Sequence, residues 1–167
     1  MRRPTFIAAA AVLALSLIAV PVVQARQPGA TIVGTAIAAN AATGEFDDLI
    51  AAVQRAGLVD VLNGNRQFTV FAPTDAAFER LFQALGVSGV GDIPVATLRA
   101  VLLHHVAPGQ RFSADVLASS RIRMLDKSFT HPAIVGGVPT IDGARIVVPD
   151  IDASNGVIHV IDTVLLP

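Results

Sequence analysis

Four histidines, His104, His105, His131 and His159, are the residues of this 167-residue chain best suited to proton transfer or metal ligation. A metal site needs at least three ligands that converge in space, and no HxH or HxxxH spacing supplies a local pair. His104 and His105 are adjacent, and neighbouring side chains of an extended segment point to opposite faces. The reading is therefore structural: imidazoles bonded to backbone, with no metal and no cofactor. Asp150-Ile-Asp152-Ala-Ser154 begins like a calcium loop, but its sixth position is Asn155 where glycine is needed and its twelfth is Ile161 where a bidentate Glu is needed. A turn capped by short polar side chains fits it better. Ser88, in Gly86-Val-Ser-Gly-Val-Gly91, has glycine spacing that matches neither a nucleophile elbow nor a phosphate loop. Cysteine is absent, which removes thiol nucleophiles, thiolate metal sites and disulfides together. A Ser-His-Asp triad is assembled from distant positions, and no spacing marks one out. Asp75, Asp115, Asp126, Asp142 and Asp162 all fall at expected helix caps or turns, where short acids satisfy backbone donors. No enzymatic constellation emerges.

The elements that would position these residues start from Phe68-Thr-Val-Phe-Ala-Pro-Thr-Asp75. Both faces of Phe68–Ala72 are largely apolar, as in a central strand, and Pro73 ends the run. Thr74 or Asp75 is placed to cap a helix whose inner face is Phe78, Leu81, Phe82 and Leu85, with Gly86 as its left-handed stop. Ahead of this strand, Phe46, Leu49, Ile50 and Val53 predict a helix closed by Gly57, and Leu58, Val61 and Leu62 a further turn or two. Behind it, Pro94 opens a helix with Val95, Leu98, Val101 and Leu102 inward, which the chain leaves near His104. Pro108-Gly109 is a type II turn, and Ser113 or Asp115 caps one more short turn. Strands are expected at Ile122–Leu125, Val138–Ile141, Ala144–Val148 and Val157–Leu165, with Asp142-Gly143 as a hairpin turn. Helices come first and strands later, which is an α+β domain.

At the N-terminus, Arg2-Arg3, the apolar run Phe6–Val20 and Val23-Gln-Ala25 have the layout of a signal peptide over residues 1–25. Fifteen apolar residues before Pro21 fall short of the ~20 that span a bilayer, so no membrane insertion is expected once the leader is removed. Residues 26–43 are an Ala/Gly-rich N-terminal segment, and from Gly44 the helical pattern sharpens.

Composition narrows the partners. With 53% hydrophobic and 15% charged residues the chain can bury a core and is not disordered. Net charge is −1, falling to −3 without Arg2 and Arg3, and Lys127 is the only lysine, so no basic stripe exists for nucleic acid. With no Trp and no Tyr, the aromatic surface for stacking bases or sugars is thin.

Thr69-Val-Phe-Ala-Pro-Thr-Asp-Ala-Ala-Phe78 resembles the first signature block of fasciclin-like domains, and Asn155-Gly-Val-Ile-His-Val-Ile-Asp162 resembles the second. Leu103-His-His-Val-Ala-Pro-Gly109 corresponds to a third block, with His104 standing where the family has the tyrosine of a Tyr-His pair. The resemblance covers roughly Gly44 to Pro167. It implies a fasciclin-like β wedge of short strands with helices packed against it, residues 26–43 supplying a first short helix. It also implies a non-enzymatic cell-surface or extracellular-matrix adhesion module, secreted or periplasmic, meeting a protein or glycan of the envelope or matrix. The alternative is a periplasmic or extracellular small-ligand-binding protein, a hydrolase included. In eukaryotic members an Asp-Ile pair before the second block and the Tyr-His region are linked to receptor binding, which transfers to Asp150, Ile151, His104 and His105. No Arg-Gly-Asp tripeptide is present, and sparse lysine, abundant alanine and the leader point to a bacterial source.

Overall fold

Strand β1, Phe68–Pro73, is buried along its whole length because apolar layers cover both of its faces. The structure, a computed structural model, describes residues 30–167; the expected signal peptide and residues 26–29 lie outside the described residues. Phe68, Val70 and Ala72 face a helical core, and Phe71 faces a second core built with Ile141, Ile146, Ile161 and Leu165. Strand β8, Gly156–Ile161, runs parallel beside β1, with Phe68 opposite Gly156 and Pro73 opposite Ile161. A side chain on Gly156 would collide with the Phe68 carbonyl, so only glycine permits this approach. The period-two alternation holds here as well: Ile158 and Val160 enter the helical core and Ile161 the other.

The remaining strands of the sheet are β2 (Val106–Pro108), β5 (Pro132–Val135), β6 (Val138–Ile141) and β7 (Ala144–Ala153), in the order β2-β1-β8-β7-β6-β5. A separate small ladder joins β3 (Ile122–Arg123) to β4 (Phe129–Thr130). Five helices precede the strand-rich part: α1 (Ile32–Thr43), α2 (Asp47–Arg55), α3 (Val59–Leu62), α4 (Asp75–Leu85) and α5 (Val95–His104); α6 (Ser113–Ala118) follows β2. This is the expected α+β architecture, with helices mostly in the N-terminal half packed against a curled sheet of short strands.

Several local expectations need correction. Leu85, Val95 and Val61 are exposed, because the first two stand at helix ends beyond the edge of the core and Val61 lies on the outer side of a single turn. Pro94 is the residue before α5 instead of its first residue. Thr74 makes no side-chain cap on α4, and the Asp75 carboxylate instead accepts the Asp47 and Asp48 amides at 3.2 and 3.0 Å. Asp75 therefore caps α2, whose own N-cap position is Phe46, a residue with no acceptor. Burial, with the Asp75 charge second, pushes the Asp48 carboxyl above its ordinary value. Asp142 and Gly143 do turn the chain between β6 and β7, with φ 45° and 86°. Strands β2, β4 and β5 are short and carry proline or charged neighbours, which hid them, and β8 ends at Ile161 rather than Leu165. Strand β7 does not stop at Val148. Pro149 and Asp150 form an irregularity between the Val148 and Ile151 pairings, and the strand resumes to Ala153.

Candidate functional site

The residues singled out for binding are not one patch; the structure distributes them over three polar knots. At the end of α5, His104 is buried, and its Nδ1 lies 2.8 Å from Asp126 Oδ2 and 2.7 Å from Ser128 Oγ. Ser128 Oγ also donates to Asp126 Oδ1 at 2.5 Å. These are the three residue types of a hydrolytic triad, in the wrong order. A triad needs serine on one ring nitrogen and the acid on the other, so that the proton passes through the imidazole. Here both meet Nδ1, and the serine proton is held by the carboxylate. Burial raises Asp126, but hydrogen bonds from the Ser128 hydroxyl, His104 and the Ser128 amide outweigh it and hold its pKa below the ordinary value. The knot ties the loop after β3 to the end of α5.

His105, the next residue, is 1% exposed and makes two bonds inside the protein. Its Nδ1–H donates to the Val101 carbonyl at 2.7 Å, and Nε2 accepts the Leu165 amide at 2.9 Å. This fixes the ring as a neutral Nδ1–H tautomer, since Nε2 must keep its lone pair. Burial lowers its pKa to about 4, against the opposing pull of the Val101 carbonyl. The C-terminal tail is thereby pinned to α5 across 60 residues of sequence.

The third knot holds Asp150. Its carboxylate accepts the Ser113 amide at 2.6 Å and the Ser113 hydroxyl at 2.5 Å, so it caps α6 from β7. Its own amide donates to His159 Nδ1 at 3.2 Å, and His159 Nε2–H donates to the Arg111 carbonyl at 2.9 Å. The His159 ring is fully buried, stacks on Phe71 with centroids 5.5 Å apart, and has its pKa lowered, first by burial. Thr69 joins the same knot, accepting the Arg111 amide and donating to the Gly109 carbonyl. Asp150 adopts φ 60°, which lets the bulged strand turn this residue's amide and carboxylate to two different partners. The sequence placed Asp150 in an exposed connection; it is exposed, yet it sits inside β7. Ile151 is half-buried and packs against the helical core. His131 is exposed and lies 3.4 Å from Asp142 at the β6–β7 turn.

Sequence reasoning missed Asn155. Its Oδ1 accepts the Ile32 amide at 2.8 Å, and its Nδ2 donates to the carbonyls of Leu62 and Gly64 at 2.6 and 3.0 Å. One buried amide thus fixes the start of α1 and the end of α3 to the start of β8. The available signal was the position itself, an amide side chain before Gly156 between apolar runs. Among the described residues no three of His, Asp and Glu converge to hold a metal ion, and no described helix is long and apolar enough to cross a membrane.

Two cavities are present, one bordering the third knot and one apart from all three. An open depression of about 500 Å³ runs along Pro108–Arg111 and Asp115. A narrower one of about 220 Å³ lies between α1 and α2 above β1 and β8, lined almost wholly by aliphatic side chains.

Comparison with known proteins agrees with this architecture. Residues 44–167 match the family model of the Fasciclin domain. The chain is 40% identical over 121 residues to the uncharacterized protein sll1735 of Synechocystis, covering 72% of this chain and 89% of that one. It is 35% identical over 119 residues to the cell surface glycolipoprotein MPB83 of Mycobacterium bovis, spanning 48% of that protein and 66% of this one. Its fold is similar to a FAS1 domain pair from the insect cell adhesion molecule Fasciclin I, with a TM-score of 0.67 at 20% identity, covering 83% of this chain and 51% of the pair. Over residues 44–167 the chain belongs to the fasciclin domain family.

Proposed function

We propose that this chain is a secreted or periplasmic interaction module without catalytic activity, meeting a protein or glycan of the cell envelope. The observation that carries this reading is the use made of its chemistry-bearing residues. His105 and His159 spend both ring nitrogens, and His104 its Nδ1, on tying loops, helix ends and the C-terminal tail to one another, and Ser128 faces the same nitrogen as Asp126. The adhesion and cell-surface descriptions of the Fasciclin I molecule and MPB83 support the same reading.

The surface proposed for contact surrounds Asp150. Val147 and Val148 precede it and are 49% and 47% exposed, and Phe112, beside its partner Ser113, is 38% exposed. An acid among exposed apolar side chains offers charge and anchor together. The rings of His104 and His105 are buried, so a partner would meet the loops they hold and not the rings.

Cross-linking on the native cell envelope tests this, comparing wild type with Asp150→Asn and Val148→Lys. Asparagine keeps an acceptor for the Ser113 amide while removing the charge, so both variants should melt with wild type. The expected result is a discrete cross-linked partner for wild type that both variants lose. Equal cross-linking by folded variants removes this surface, and no partner for wild type contradicts the interaction reading.

A further inference from the structure

We infer that the cavity between α1 and α2 is a binding site for a single linear aliphatic chain bearing a neutral polar end group. Its walls are two helices facing each other with the same spacing, Ile32, Val33, Ala36 and Ile37 against Leu49, Ile50, Val53 and Gln54. Val70, Ala72 and Ile158 form its floor. Ala36 and Ala72 both line it, and a larger side chain at either position would take up part of the space.

Helix α1 cannot settle to close it, since both of its ends are tied. At the first end Asn155 holds the Ile32 amide and Asn63 accepts the Thr31 hydroxyl. At the other, Asn40 accepts the Phe46 amide and donates to Asp47 at 2.7 Å. A void held open in this way forfeits dispersion contacts along its lining, which an aliphatic occupant restores.

Size and lining define the ligand. An apolar cavity of about 150 Å³ stays dry and takes benzene, so by proportion about 220 Å³ takes roughly eight or nine carbon atoms. Among the described residues the only polar lining side chains are Gln54 and Asn63, and both are exposed, so they stand at the mouth. Neither is charged, and among the described residues no lysine or arginine lines the cavity. Amides pair with a hydroxyl, ester or amide end group, whereas a carboxylate would find no counter-charge. This site lies on the helical side of the sheet and is independent of the envelope contact proposed above.

The test is a titration of the full mature chain with straight-chain alcohols from four to twelve carbons, read by calorimetry and by methyl NMR shifts of Val33, Ile37, Ile50 and Val53. Affinity should rise about fourfold per methylene and stop rising near eight or nine carbons, where the cavity is full. The carboxylate of equal length should bind more weakly. Ala36→Leu should shorten the plateau by about three carbons; the wild-type plateau stands as the test if that variant does not fold. Phosphatidylcholine vesicles in a parallel arm show the source of the chain: capture competed by octanol assigns it to a membrane lipid, and alcohol binding without capture assigns it to a free ligand. Either source upholds the site. Absence of saturable binding, affinity that climbs through twelve carbons, or shifts confined to other methyls would overturn it.

Discussion

The end of the molecule around His104, His105 and His159 and the trough between α1 and α2 share one sheet, yet they are closed by opposite means. In the first, imidazoles and carboxylates satisfy backbone groups of α5, α6, the loops after β2 and β3 and the C-terminal tail. In the second, polar groups hold only the two ends of α1, and between them small aliphatic residues leave a cavity. The difference teaches where chemistry-bearing residues are not a site. The buried histidines lie where the fold needs connections between distant segments, and the aliphatic cavity lies apart from them.

Breaking the histidine end should cost most. His105→Ala leaves the Val101 carbonyl and the Leu165 amide buried without partners and opens a hole; a loss of at least about 3 kcal/mol is expected in urea unfolding. A loss under about 1 kcal/mol would mean that the tail is not held there.

Acid should weaken the same end without mutation. The His105 pKa is lowered from 6.5 to about 4 in the folded protein, so between those values the unfolded chain binds a proton that the folded one refuses. Stability is then complete above pH 6.5 and falls as pH drops toward 4, by roughly 3 kcal/mol, with His159 acting in the same direction. Urea unfolding of wild type and His105→Gln across that range checks it: the glutamine variant should keep only the weaker slope.

The trough side breaks at Asn155. Asn155→Ala frees one amide and two carbonyls, and about 2 kcal/mol is expected, with hydrogen exchange in α1 accelerated more than in β1. Uniform acceleration would show that α1 is held by its apolar face and not by its ends.

The smallest effect is expected at Ser128. Ser128→Ala removes a hydroxyl that is only one of several donors to Asp126, for less than about 1 kcal/mol. A serine-reactive fluorophosphonate should leave wild type unlabelled; labelling at Ser128 would restore a hydrolase to consideration.

Much of the frame was legible because it rests on local pattern. The buried run Phe68–Ala72, the inward Phe78, Leu81 and Phe82, the stops at Gly57 and Gly86, and the Asp142-Gly143 turn all follow from short-range sterics and periodicity. What escaped was long-range. Asp75 looks like the cap of its own helix and caps α2; Asp150 looks like a loop acid and caps α6, 37 residues back; Asn155 looks like a turn residue and joins α1 to α3. Nothing in a side chain's neighbours along the chain reveals which distant amide it will meet. The cavity was illegible for the complementary reason, since it is lined in part by alanines that read only as small.

His105 and His159 are neutral connectors, and their ring nitrogens report this directly by NMR from pH 8 to 4. The expected result is His105 as the Nδ1–H tautomer, unprotonated until about pH 4, and His159 as the Nε2–H tautomer with its titration shifted below that of a free imidazole. Protonation of His105 near pH 6.5, a His159 titration at or above that of a free imidazole, or the opposite tautomer of either ring would contradict it.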